Sequence, residues 1–156
     1  MGAMSGKKII AAVDGSATAQ DALRFAMHMA PDLGCSVSAV IAIQTRIPGY
    51  RAGYFSFVDR HILEELRQFA AGVAEETKKI AADLGGAVPE TEILEGEKEI
   101  FEQIVDFLAA TPEAAFLVMG SYGHGVRERL ILGSTTQRLI LEIARREMKT
   151  PVLVVP

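Results

Sequence analysis

Short apolar runs alternate along this chain with longer stretches in which apolar residues recur every three or four positions. The first run, IIAAV at residues 9–13, reads as a strand buried on both faces. Asp14, Gly15 and Ser16 interrupt it, and Ser16 suits the N-cap of a helix. Ala22, Leu23, Ala26, Met29, Ala30 and Leu33 then follow helical spacing as far as Gly34. Residues 37–43 form a second apolar strand. Residues 45–58, rich in Gly and aromatic side chains, read as a loop that could cover a ligand or meet a partner. Ile62, Leu66, Phe69, Val73, Ile80 and Leu84 mark the inner face of a long helix closed by Gly85 and Gly86. Residues 88–94 alternate in polarity, as a strand near a sheet edge does. A helix over 97–110 follows, with Ile100, Phe101, Ile104, Val105 and Leu108 inward, then an apolar strand over 115–119. The last pair is a helix over 135–148, with Leu139, Ile140, Ile143 and Ala144 inward, and a short strand over 151–155.

Strand and helix alternate throughout, which predicts an α/β fold with an open, mainly parallel sheet and helices on both faces. Right-handed crossovers restrict the topology, and ligands of such sheets bind at the carboxyl ends of strands where the winding reverses. The first and fourth strands both run into glycine-containing loops, Asp14-Gly15-Ser16 and residues 120–134. If those strands are neighbours, both loops face one crevice. Gly120 and Gly123, then Gly133, Ser134 and Thr135 at the start of a helix, are suited to a phosphate group. Glycine lets backbone N–H groups come close to an anion, and a helix N-terminus favours negative charge. His124 and the arginines 127 and 129 lie in the same loop and could reach a phosphate. The plainer alternatives are turn chemistry for Asp14 and the glycines, and simple helix capping for Ser134 and Thr135.

Composition narrows the class. A chain of 156 residues, 49% hydrophobic, suits one domain, taken as residues 7–156. Residues 1–6 read as a cloning remnant or disordered start. The formal charge of −4 disfavours a nucleic-acid grip, and no apolar run is long enough to span a bilayer. The single cysteine, Cys35, allows no internal disulfide and no zinc cluster, so a reducing cytoplasm is expected.

Three blocks carry a family likeness. IIAAVDGS at residues 9–16 resembles the opening strand and turn of the universal stress protein family. MGSYGHGVRERLILGS at 119–134 resembles its nucleotide signature, Gly-x2-Gly-x9-Gly-Ser/Thr, and TPVLVVP at the end resembles its last strand. The resemblance implies a Rossmann-like five-stranded sheet in the order 3-2-1-4-5, in the branch of the family that binds ATP, here with Mg²⁺. It implies that Asp14, with Ala12 and Val13 beside it, meets the ribose or adenine end of the nucleotide. Main-chain groups near Ala42 would meet adenine. Met119, Gly120 and Gly123, with His124, would line the ribose and phosphate path, and Gly133, Ser134 and Thr135 would hold phosphates. It also implies a homodimer paired through the strand 152–155 and a role as a nucleotide-dependent sensor or regulator with an unidentified protein partner. Two departures stand out: a charged extension around residues 145–149, and a loop over 124–129 without the family's usual basic-serine-glycine run. No Walker Lys-Ser/Thr pair follows the glycines and no base is evident, so activity is expected to be at most slow ATP hydrolysis or self-phosphorylation. A nucleotide-free interaction module is the other alternative.

Overall fold

A computed structural model of the chain describes residues 4–45, 56–122 and 132–156. Five strands and four helices alternate in the order β1 (Lys8–Ala12), α1 (Ala17–Leu33), β2 (Ser36–Gln44), α2 (Ser56–Asp83), β3 (Glu90–Gly96), α3 (Ile100–Ala109), β4 (Ala114–Gly120), α4 (Ser134–Arg145) and β5 (Val152–Val155). All strand pairs are parallel and the sheet order is β3-β2-β1-β4-β5. The winding reverses between β1 and β4, so the expected strand order is the observed one.

The period of two along each strand sorts the core into two layers. Ile9, Ala11, Ala39, Ile41, Phe116 and Val118 face α1 and α2, where Leu23, Ala26, Ala70 and Val73 meet them. Ile10, Val40, Leu117 and Met119 face the opposite way, against Ile104, Val105 and Leu108 of α3 and Leu139 and Ile143 of α4. The nearly continuous apolar character of β1, β2 and β4 follows from burial on both faces. β3 is an edge, with Glu90, Glu92 and Ile93 exposed.

Local chemistry sets the boundaries. Ser16 has extended dihedrals and its Oγ accepts from the Ala19 N–H, which starts α1. Gly34 ends α1 in the left-handed conformation, at φ 68°. β3 begins two residues later than the polarity pattern suggests, immediately after Pro89, which has no N–H for the ladder. α4 stops at Arg145 rather than running through Met148: Glu147 takes φ 55°, and the Met148 N–H turns back to the Ile143 carbonyl. Helix α2 already runs from Ser56, inside the segment read as a loop. The residues 46–55 of that segment, with Tyr50, Tyr54 and Phe55, lie outside the described residues.

Several side chains expected to face the core are exposed: Phe69, Leu84, Ile100, Ile140 and Ala144. On α4 the buried positions are Thr136, Leu139 and Ile143, a narrower stripe than the apolar pattern implied. Phe69 and Ile100 are exposed for a different reason, which the site explains.

Candidate functional site

The reversal of winding leaves a crevice at the carboxyl ends of β1 and β4, because the chain leaves these neighbours toward opposite faces of the sheet. A cavity of about 310 Å³ occupies it. Ala12, Val13 and Asp14 enter its wall from β1, Ala42 from β2, Met119 and Gly120 from β4, and Gly133, Ser134 and Thr135 from the start of α4. The structure thus gathers these sequence-predicted residues around one space. Gly123 and His124 lie outside the described residues, as do Arg127 and Arg129.

The turn after β1 is held by its own polar groups. Asp14 Oδ1 accepts from the Ser16 N–H at 2.9 Å, and Val13 N–H continues the ladder to the Val40 carbonyl at 3.0 Å. Asp14 therefore closes an Asx turn while it borders the cavity.

Gly120 has a packing reason that the motif alone does not reveal. A Cβ there would fall 2.8 Å from the Thr18 carbonyl carbon and 2.9 Å from the Ala19 nitrogen, and closer still to Thr18 Oγ1. The end of β4 thus rests directly on the first turn of α1. Thr18 also donates to the Tyr122 carbonyl, which fastens the exit of β4 to α1. Ser121 N–H continues toward β5 by donating to the Val155 carbonyl at 2.9 Å.

Gly133 closes the long loop. Its N–H donates to the Ser121 carbonyl at 2.8 Å, and a Cβ would press on Tyr122 Cα at 3.0 Å. Gly133 is the N-cap of α4 and supplies no side-chain bond to it. Ser134 and Thr135 are therefore the first helical residues rather than caps. The opening N–H groups of a helix have no intrahelical acceptor, so an uncapped α4 presents them, with the positive end of its dipole, to the cavity. Thr136 is 3% exposed, and its Oγ1 donates to the Gly120 carbonyl at 3.1 Å. That bond fixes the helix start against the end of β4.

Across the cavity the wall is apolar: Ile104 and Ile100 from α3, Phe69 from α2, and the β2 residues Val40 to Ala42. Phe69 and Ile100 are 47% and 37% exposed because they stand on the rim of this opening. Helical spacing marked both as apolar but could not separate a core position from a rim position. Thr136, Thr18 and Tyr122 were also missed. For Thr136 the available signal was a polar residue at the head of the Leu139–Ile143 stripe.

The arrangement sets an uncapped helix start and an apolar slot on the same cavity. The chain matches the sequence profile described as the universal stress protein family over residues 6–156. It belongs to the universal stress protein family. A universal stress protein of Methanocaldococcus jannaschii is 30% identical over 151 residues, covering 96% of this chain and 81% of that protein. Among solved structures, a universal stress protein from Lactobacillus plantarum superposes with a TM-score of 0.80 at 22% identity, covering 97% of this chain and 99% of that one, a likeness of fold. A universal stress protein from Archaeoglobus fulgidus in complex with dAMP is similar at TM-score 0.60 and 25% identity, covering 96% of this chain and 97% of that one. Among the described residues no helix is long and apolar enough to cross a membrane.

Proposed function

We propose that this universal stress protein binds ATP in the crevice and acts in the cytoplasm as a nucleotide-dependent regulator of a stress response. The observation that carries the reading is the uncapped start of α4 at Ser134 and Thr135 facing an apolar slot in the same cavity. A nucleotide has the same polarity: anionic phosphates at one end and a flat, weakly polar base at the other. Phosphate oxygens would accept from the N–H groups of Ser134 and Thr135. The base would lie against Ala42, Ile100, Ile104 and Phe69, with Asp14 toward the ribose hydroxyls. Gly123 and His124 would complete the phosphate path along the Gly-x2-Gly-x9-Gly-Ser stretch. The dAMP complex of the Archaeoglobus fulgidus relative supports a nucleotide in this fold. Among the described residues no group of three or more metal-ligating side chains is assembled. Mg²⁺ would therefore be carried on the phosphate oxygens, as that ion commonly is.

The edge strand β5 supports a homodimer. Val152–Val155 pairs with β4 on one side, and its four residues are all half-exposed. A second copy of the strand would satisfy the open edge by two-fold pairing.

The test is direct. Protein purified from cells is heat-denatured and the supernatant examined by mass spectrometry, and stripped protein is melted with and without ATP and Mg²⁺. Released ATP is expected, and ligand at 100 times Kd should add about 2.7 kcal/mol to stability. Absence of both released nucleotide and thermal shift overturns the proposal.

A further inference from the structure

Helix α3 buries Gln103, Ile104, Val105 and Leu108. Three of these are apolar, as a helix face packed on a sheet requires, and the fourth is an amide only 9% exposed. Gln103 Nε2 donates to the carbonyls of Lys98 at 2.8 Å, Ile43 at 3.0 Å and Gly96 at 3.3 Å. These carbonyls belong to three separate segments: the turn into α3, the end of β2 and the end of β3. The Gly96 carbonyl also accepts from the Thr45 N–H at 2.8 Å. The ends of two strands and the start of a helix therefore meet at a single side-chain amide.

That junction has a cost. With three carbonyls on one side, the amide must turn its NH₂ group toward them, because an oxygen there would be repelled. Gln103 Oε1 is thereby turned away, shielded from solvent and without a hydrogen-bond partner among the described residues. A buried acceptor left unpaired is destabilising, and a methionine of similar length would fill the position without one. The neighbours of the amide show what it holds in place. Ile104, next to it on α3, and Ile100, one turn earlier, form the apolar wall of the crevice, and Ala42, just before Ile43, borders the crevice from β2. β1 pairs with β2 only as far as Ala12 with Val40, and the Val40 carbonyl accepts from the Val13 N–H. Main-chain groups of a strand point alternately to its two neighbours. The Ala42 N–H and carbonyl, two residues beyond Val40, therefore point to the side that β1 has already left. The Gln103 bond to the very next carbonyl sets how far that exposed backbone stands from the α3 wall.

Building on the nucleotide reading of the crevice, we propose that Gln103 is a positioning residue for the base. Its amide holds the Ala42–Ile43 backbone against α3, so that the Ala42 N–H and carbonyl read the edge of a base lying along Ile100 and Ile104. An N–H beside a carbonyl complements an edge with one acceptor and one amino donor, which adenine offers through its ring N1 and its 6-amino group. Guanine offers a ring N–H and a carbonyl in those places, the reverse order. With the ribose held on the Asp14 side, the two edges are not interchangeable. Loosening the junction therefore costs base affinity and base discrimination, while the phosphate contacts at the start of α4 stay as they were.

The test is calorimetric titration of ATP, GTP and inorganic tripolyphosphate into nucleotide-stripped full-length protein and its Gln103→Met variant. That substitution keeps the length of the side chain and removes both the donors and the orphaned acceptor. ATP affinity should fall about fivefold, the worth of one ordinary hydrogen bond, with GTP falling less and tripolyphosphate unchanged. A merely structural role would weaken all three alike. Far-ultraviolet circular dichroism checks the fold of the variant. In the unsubstituted protein, the NMR resonances of the Gln103 side-chain amide should shift with adenosine and stay in place with tripolyphosphate, which reads the same contact even where the variant does not fold. The proposal is overturned if the preference for ATP over GTP survives Gln103→Met, if tripolyphosphate binding falls in step with ATP, or if adenosine leaves the Gln103 amide unmoved. Failure of the unsubstituted protein to bind ATP at all overturns the nucleotide reading itself, and the role of Gln103 with it.

Discussion

The two ends of the sheet are built from different materials. At the carboxyl end the phosphate-facing wall is largely backbone: the end of β4 lies on the first turn of α1 at Gly120, and the α4 start is fixed by the Thr136 bond to the Gly120 carbonyl. At the amino end the walls of a second cavity are long side chains, Lys8, Glu90, Glu92 and Glu113, on three separate segments. The cause is the parallel topology. Each helix that follows a strand begins at the carboxyl end of the sheet and finishes at the amino end, so positive helix ends gather at one side and negative ends at the other. α4 meets that condition at its finish with Arg145 in the last turn and Arg146 at the C-cap, whereas the last turn of α3 has no basic residue. The same fold thus turns its positive helix ends toward the crevice and its negative ends away from it.

The largest effect should come from breaking the backbone contact at the anion end. Gly120→Ala puts a methyl group against Thr18 and Ala19, neither of which can withdraw without moving the start of α1. Overpacking of this kind costs about 2–3 kcal/mol. Gly96→Ala, at the end of β3, is the matched control. Its Cβ would sit 3.7 Å from Gln103, an ordinary contact, so its melting temperature should fall far less. Equal thermal losses in the two variants would mean that the close approach at Gly120 is not what holds the crevice.

A smaller effect, but a sharper one, comes from placing a carboxylate at the α4 start. Ser134→Asp favours the helix, because an acidic residue in the first turn complements the dipole by about 0.5 kcal/mol. The same charge repels a phosphate at that position. Stability without ligand should therefore rise slightly while ATP affinity falls about tenfold, on the order of 1.4 kcal/mol. Melting curves and calorimetry together read both signs. If affinity holds, the phosphates do not meet this helix end, and the contrast between the two ends loses its anionic half.

How much of this was legible beforehand follows from the same contrast. The apolar runs at β1, β2 and β4 were readable because burial on both faces leaves few polar positions in them. The crevice was readable because backbone-built walls need glycine at fixed intervals, and intervals are a sequence property. Its reasons were not: Gly120 is required by α1, over a hundred residues earlier in the chain, and only the folded contact shows that. Phe69 and Ile100 share the helical spacing of true core residues, and periodicity does not tell where a helix face runs out of sheet. The second cavity had no signature at all. Its residues stand at 8, 38, 92 and 113 on separate strands and turns, and only the sheet order brings them together.

The smallest effect concerns the finish of α4, which is furnished with cations. Glu142 is held at a pKa of about 2, first by hydrogen bonds from Arg145 and then from Arg146, with burial opposing them. Arg146 also bridges to Asp106 of α3, whose carboxyl is lowered by Lys98 first and then by Arg146. A carboxyl whose folded pKa lies below its ordinary value of 4.5 contributes stability that is complete above about pH 4.5. That contribution fades as the pH falls toward 2, where the folded group also takes up its proton. Arg145 stands open to solvent while Glu142 and Arg146 are only partly exposed at the molecular surface, so the effect is modest and should shrink further in high salt. The expected outcome is a melting temperature that declines more steeply between pH 4.5 and 2 in the parent protein than in Glu142→Gln, with the two curves converging at the acid end. Parallel curves would mean that Arg145 and Arg146 answer the helix dipole alone. The α3 and α4 finishes would then differ in charge without differing in what that charge does for the fold.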